Sequence, residues 1–220
     1  MKKLLFTAFM VLAAVGAKAQ GYLSADYAMM ELKGKVKKVS VWRHIADKDG
    51  NITERMEDAH VTAFDKNGRI LTGGPGDMKF EDMDLQRDEQ GRLLKYEQIG
   101  VETDEMSGFE SRSSYVYNGL LPVSYEDEFL GEISAFATGA YFYNEDGWLK
   151  KCIRNGISDG IFFTYVVWYQ GQEPYEANQN WTRRLVIDHA LSYEMDGADN
   201  PAEQSVSINY YVEEREIEYY

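Results

Sequence analysis

Cysteine is almost missing from this 220-residue chain: Cys152 stands alone, so no internal disulfide can form and stability has to come from the core. One thiol also excludes dithiol redox chemistry and cysteine-based zinc sites. Cys152 sits between Lys151 and Ile153 in a stretch that reads as a strand, where a buried, inert thiol is expected. Histidine is scarce as well. His44, His60 and His189 are too scattered for a local ligand spacing such as His-Glu-x-x-His, so each reads as a surface or strand residue. Basic residues are outnumbered 23 to 37, for a net charge of −14. Nucleic acid and anionic lipid are recognised by clustered Lys and Arg, so neither is an expected partner. The acidity reads first as a device for solubility.

Long apolar runs are also lacking, with one exception. Lys2 and Lys3 precede an apolar stretch from Leu4 to Ala17, and Ala17-Lys18-Ala19 follows immediately before Gln20. That order of charged, apolar and small residues predicts a secretory signal over residues 1–19, cleaved after Ala19. The run is shorter than the roughly 20 residues that a spanning helix needs. No cysteine lies near the cut to accept a lipid, so the expected product is periplasmic or secreted, with no membrane insertion after cleavage. Losing Lys2, Lys3 and Lys18 leaves 201 residues with 20 basic and 37 acidic side chains, a net charge of −17. That length suits one domain or two small ones. The expected organisation is a lead-in segment over 20–34 and a single β-repeat domain over 35–220.

Helix signals are sparse. The one candidate is Ser24 to Leu32, with Ser24 as its cap, barely two turns long. What is present instead is aromatic residue: 14% of the chain, including 16 Tyr, gathered in short runs bounded by Asp, Asn and Gly, the composition of strands and tight turns. One pattern recurs: a strand, a polar turn ending in Gly, then a basic or aromatic residue and aliphatics. It appears as Phe64-Asp65-Lys66-Asn67-Gly68-Arg69-Ile70-Leu71, as Arg87-Asp88-Glu89-Gln90-Gly91-Arg92-Leu93-Leu94, and as Tyr143-Asn144-Glu145-Asp146-Gly147-Trp148-Leu149-Lys150. Tyr117-Asn118-Gly119-Leu120-Leu121 is a shortened copy, and Tyr169-Gln170-Gly171 is a fainter one. Asp or Asn bonds its own backbone two residues on, and Gly accepts the positive φ that closes a short hairpin.

Val206, Ile208, Tyr210 and Val212 alternate with Ser205, Ser207, Asn209 and Tyr211, the period of a strand with its apolar face better buried. Ile161 to Tyr169 is apolar at nearly every position and predicts a central strand covered on both faces. The expected fold is all-β: an antiparallel meander of repeated long hairpins forming a curved or rolled sheet, with little helix.

The three fuller copies resemble the tyrosine-aspartate, or Rhs-type, repeat, whose core reads Tyr-Asp-x-x-Gly-Arg-Leu. Phe64 to Ile70 and Arg87 to Leu93 keep the Asp and the Gly-Arg pair, whereas Tyr143 to Leu149 carries Asn144 and Trp148 in their places. Leu32-Lys33-Gly34-Lys35-Val36-Lys37 and Asn180-Trp181-Thr182-Arg183-Arg184 also look like segments of small bacterial secreted proteins built from such repeats. The resemblance spans roughly residues 30 to 190 and implies architecture, since the repeat supplies no catalytic residue. Large Rhs toxins build an enclosing shell from such strands, and this chain is too short to encapsulate a passenger.

Candidate chemistry is thin. Asp47, Asp49 and Asn51, with Asp58 at the twelfth place, repeat the alternating oxygens of an EF-hand loop, but the sixth position is Ile52 where that loop needs Gly. A hairpin turn after the strand through Val39 and Val41 accounts for the same residues. Gly73-Gly74-Pro75-Gly76 is a loop without the Lys-Ser or Lys-Thr of a phosphate site. No nucleophile elbow or dinucleotide fingerprint is present, and no cofactor is expected. Glu126, Asp127 and Glu128, beside Tyr125 and Phe129, are the best local carboxylates for a secreted hydrolase acting on carbohydrate or peptide, and a solvated strand edge explains them equally. Trp42, Trp148, Trp168 and Trp181 are candidates for an aromatic platform on which sugar rings or peptide side chains stack. Cross-strand ladders account for the same aromatics without a ligand. Asn51-Ile52-Thr53 and Asn180-Trp181-Thr182 match the glycosylation sequon, which matters only in a eukaryotic host. The expected function is therefore a non-enzymatic binding or interaction module of the cell envelope with a protein or glycan partner. The hydrolase is the alternative, and an envelope structural protein a third.

Overall fold

The structure, a computed structural model, describes residues 22–73, 84–100, 108–131, 134–174, 180–195 and 201–220. The predicted leader and Gly74-Pro75-Gly76 lie outside these. Among the described residues one short helix, α1 (Ala25–Met29), precedes thirteen strands: β1 (Val36–Ala46), β2 (Ile52–Glu54), β3 (His60–Phe64), β4 (Ile70–Thr72), β5 (Asp84–Arg87), β6 (Leu93–Gly100), β7 (Phe109–Asn118), β8 (Leu121–Leu130), β9 (Ala135–Tyr143), β10 (Leu149–Ser158), β11 (Ile161–Pro174), β12 (Trp181–Met195) and β13 (Pro201–Tyr219). All join one antiparallel sheet in the order β4-β3-β1-β13-β12-β11-β10-β9-β8-β7-β6-β5, with β2 also on β1. The expected all-β meander is the observed fold.

The turns repeat at atomic detail. In each of four hairpins an Asx amide donates to the carbonyl four residues on, as Asp65 N does to Arg69 O at 2.9 Å, and the glycine amide returns to the Asx carbonyl. The Asx Oδ1 then accepts the amides two and four residues ahead, Asn67 N at 2.8 Å and Arg69 N at 2.9 Å in this copy. Asp88 and Asn144 head the same turn. Asp47 heads a fourth, holding the amides of Asp49 and Asn51 on Oδ1 and the Asn51 side chain on Oδ2. Gly68 closes its turn at φ +77°, and a Cβ there would sit 2.8 Å from Ser24 Oγ, so glycine is required by conformation and by space.

The expected fifth turn is corrected. Gly171, at φ +64°, lies inside β11, where the pairing with β12 shifts register after Gln170. It makes a bulge, not a hairpin.

The sheet is rolled. β1 and β8 are six strands apart in the order, roughly 29 Å along a flat sheet. Yet Val39 of β1 and Leu121 of β8 belong to one buried cluster with Tyr27, Leu32 and Phe64. The lead-in segment fills the roll. Ser24 caps α1 by accepting Tyr27 N at 3.0 Å, a shorter helix than the predicted one, and Tyr22, Tyr27, Ala28 and Leu32 are buried. Tyr22 and Ser24 donate to the carbonyls of turn glycines Gly147 and Gly68, at 2.7 and 2.5 Å. Residues 22–34 therefore act as a plug that seals the turn end of the roll and belongs to the fold as fully as the strands do.

Two buried carboxylates of the plug bind the strands together. β4 and β5 are the two ends of the sheet order and are not hydrogen-bonded to each other. Asp26 bridges them. Its Oδ2 accepts Ile70 N of β4 at 2.8 Å, and both oxygens take the Arg87 guanidinium of β5 as a fork, at 2.6 and 2.9 Å. Glu31 does the same elsewhere. It accepts Leu149 N at 2.6 Å and pairs with the buried Arg184 of β12, which also holds Glu213 of β13 at 2.7 Å. Arg184 and Arg215 lie over the ring of the fully buried Trp181, 4.0 and 3.3 Å from its centroid. Burial disfavours the Glu213 charge, but Arg184 outweighs it and holds that carboxyl below its usual range.

Above the plug, inward tyrosines line one wall. Tyr96, Tyr115, Tyr125 and Tyr141 run across β6 to β9 with centroid separations of 5.3–6.3 Å. The Tyr125 ring lies where a Cβ on Gly139 would stand, so glycine makes room for the flat ring. Burial pushes Cys152 up to about 11 and Tyr27 up to about 12, and Tyr115, Tyr141 and Tyr143 well above the usual tyrosine value.

Asp26→Ala strands the Arg87 guanidinium and the Ile70 amide, and should cost about 3–5 kcal/mol, read as a lowered midpoint in thermal or urea unfolding with Asp58→Ala as a solvent-exposed comparison. An unchanged midpoint would show that the seam does not depend on Asp26. The thiol and phenols supply a second outcome. Each has a folded pKa above its unfolded value, so its stabilising contribution is complete below the unfolded value and fades as pH rises toward the folded one. Stability should fall progressively above about pH 9, the ordinary thiol value, with phenolate absorbance appearing as the protein unfolds. Flat stability through that range would contradict the buried wall.

Candidate functional site

Registered rows across the sheet give each face a composition. Inward, Asp188 pairs with Asn209, Ala190 with Ser207, and Ser192 with Ser205, the two serine hydroxyls 2.8 Å apart. Outward, Phe136, Ile157, Phe162 and Tyr193 stand side by side on β9 to β12, and Ile153, Val166, His189 and Ile208 form another row. Phe162 and Tyr193 stack at 5.4 Å. The expected burial of the Val206, Ile208, Tyr210 and Val212 face holds at Val212, which is 1% exposed, and fails farther up the strand, where Val206 is 70% and Ile208 48% exposed and Ser205, Ser207 and Asn209 on the opposite face are exposed as well. A period-two pattern separates two faces but does not say which is inside.

The same reason corrects the reading of Ile161 to Tyr169. β11 is central in the sheet, between β10 and β12, but its outward residues are half-buried, with only neighbouring side chains around them. No second layer lies outside them among the described residues.

The apolar wall has a sharp border. The row through Phe136 continues across β8, β7 and β6 as Glu128, Arg112 and Glu97. Arg112 pairs with Glu110 and lies 3.4 and 3.8 Å from Glu97 and Glu128, so it meets carboxylates on three strands. One side of the outer surface is thus a solvated ionic lattice, and the other is mainly hydrocarbon and aromatic rings, crossed by the polar row Thr138, Asn155 and Thr164.

The four tryptophans do not share a surface. Trp181 is the fully buried partner of Arg184 and Arg215, and Trp148 is buried at the plug, where Lys33 lies 5.7 Å from its centroid. Trp42 faces outward and donates to Glu57 O at 3.3 Å, and Trp168 faces outward in the wall with Lys151 4.9 Å from its centroid. Asp47 is committed to its turn, and Asp49 pairs with Lys48 at 2.9 Å. Among the described residues no group of three His, Cys, Asp or Glu side chains is arranged around a metal position. Asp127 points inward and is raised by burial, against the lowering influence of Ser113 and of Arg154 at 3.7 Å. Glu126 and Glu128 point outward, so the sheet separates the three acids. Asn180 is fully buried, donating to Lys33 O and Tyr219 Oη at 2.8 Å, which leaves no access for a glycan. Beside the wall, the β1–β2 hairpin folds against β12 and β13, where Glu214 receives His44, Arg55 and Arg183 at 3.4–3.7 Å.

The wall was absent from the sequence reading, though its signal was there: apolar residues alternate with Ser, Asn and Asp on two neighbouring strands. The plug acids left less trace, because Asp26 and Glu31 sit in a short segment with no periodic pattern of its own.

No protein-family model and no curated protein matches this sequence. In structure the chain is similar to a porin-like protein from Bacteroides vulgatus, at 13% sequence identity and a TM-score of 0.40, over 85% of this chain and 99% of that one.

Proposed function

We propose that this protein is an exported, non-enzymatic interaction module of the cell envelope that docks a protein partner through the outer wall of β9 to β13. The observation that carries this reading is the exposure of large apolar side chains on the outer face, Phe136 of β9 and Val206 and Ile208 of β13, beside the stacked Phe162 and Tyr193. A large exposed apolar patch rimmed by polar groups is the mark of an interaction surface, since leaving it in water costs free energy at every residue. The ionic lattice on β6 to β8 faces solvent in the docked state, because a charged wall of that kind is costly to bury. A protein partner is favoured over anionic lipid by the net charge of −14. It is favoured over a stacked glycan by the dispersal of the four tryptophans. The shared turn headed by Asp47, Asp65, Asp88 and Asn144 supports reading the chain as a frame built on tyrosine-aspartate-type repeats.

A photo-crosslinking residue at Phe136, Val166 or Leu191 in the native host should yield one defined adduct, with none from Glu97 or Glu128. Adducts spread evenly over both sets, or absent from both, would defeat the reading.

A further inference from the structure

A second feature stands on backbone rather than side chains. β1 pairs with β13 from Tyr219 only as far as Tyr211, where Ile45 is its partner, and then turns away. Beyond that point β13 continues to Pro201, paired on one side with β12. Among the described residues nothing occupies the other side from Gln204 to Tyr210, and every residue from Gln204 to Asn209 is exposed.

Open strand edges are normally blunted by shortness, charge, proline or a bulge. The two ends of the sheet follow this rule: β4 and β5 are three and four residues long, and Asp26 with Arg87 occupies their seam. The upper length of β13 does not. Gln-Ser-Val-Ser-Ile-Asn-Tyr, residues 204–210, holds no charge and no proline, and the pairing with β12 runs without a register shift from Arg183–Glu214 to Glu194–Glu203.

We propose that this edge is a strand-pairing site for a second copy of this chain. The sequence is self-complementary for antiparallel pairing about a two-fold axis at Ser207. Val206 then faces Ile208 of the other copy on the outer side, twice, and Ser205 faces Asn209 on the inner side. Pairing ends at Gln204 opposite Tyr210, where β1 takes over the edge, so the seven free residues are used completely. Two copies of a chain with a net charge of −14 repel each other over most of their surfaces, and here they meet along a stretch where no like charges oppose. Joining the edges also merges the two outer apolar stripes and covers the residues of β13 that are most exposed.

Sedimentation velocity of the purified full chain should show a concentration-dependent dimer. Ser207→Lys sets two ammonium groups opposite each other on the axis and should weaken the dimer by roughly ten-fold or more, with the melting midpoint unchanged because Ser207 is exposed. Ser207→Cys should give a disulfide-linked dimer on mild oxidation, while Ser192→Cys, on the neighbouring paired strand, should not. A monomer at every concentration would overturn the proposal, as would a dimer indifferent to Ser207→Lys. If Ser207→Lys fails to fold, the Ser207→Cys result decides, and absence of the linked dimer counts against pairing. A dimer lost on Phe136→Asp but retained in Ser207→Lys would assign self-association to the wall and remove the edge from the account.

Discussion

A single sheet that rolls on itself has to fill its own centre, and in this protein two buried carboxylates make that possible. Asp26 and Glu31 enter on a segment of only thirteen described residues before β1, and between them they engage β4, β5, β10 and β12. Neither acid tolerates burial alone, since an unpaired buried charge is strongly destabilising. Each is satisfied only when distant strands arrive together: Ile70 and Arg87 for Asp26, Leu149 and Arg184 for Glu31. The geometry of these pairs therefore specifies how far the sheet curls. Hydrophobic filling by Tyr27, Leu32 and Phe64 supplies burial but much less direction.

Once the plug seals the turn end, the remaining interior need not be oily. Toward β6 to β9 it is lined by tyrosine rings, which cover area while offering hydroxyls to satisfy. Toward β12 and β13 it is lined by Ser, Ala, Asp and Asn. Val186 is the inward, fully buried apolar residue of β12, whereas Ile187, Leu191, Val206 and Ile208 of those two strands face outward. The exposed wall is thus a consequence of how the roll is filled, and the polar lining and the apolar exterior are two sides of one alternation.

Much of this was legible beforehand. The Asx-x-x-Gly turns announce themselves because their chemistry is local, each Oδ1 binding amides two and four residues on, and local chemistry survives in sequence order. The cap at Ser24 is legible for the same reason. The direction of the β13 alternation was not, because a face becomes inner or outer only through the closure of the whole sheet. Nor were the partners of Glu31, which lie 118 and 153 residues away. The aromatic platform shows a related limit: Trp148, in the turn before β10, and Trp181, beside a break in register, are drawn into the plug, and Trp42 and Trp168 are left outside, a partition set by tertiary context rather than by residue type.

Edge and wall place different demands on the same strand. On β13 the outward side chains of Val206 and Ile208 belong to the wall, while the backbone between Gln204 and Tyr210 belongs to the edge. Covering the wall leaves the edge amides and carbonyls to be met by water, which serves them well, so the wall alone gives no reason for an uncharged edge. An uncharged, unbroken edge needs its own explanation, because a single Lys facing out along it would protect it at almost no cost to the fold. Acidic residues are plentiful in this chain, yet they stop at Glu203 and resume at Glu213. That interval contains all seven of the unpaired residues, which ties the absence of charge to the backbone groups left open rather than to the apolar side chains beside them.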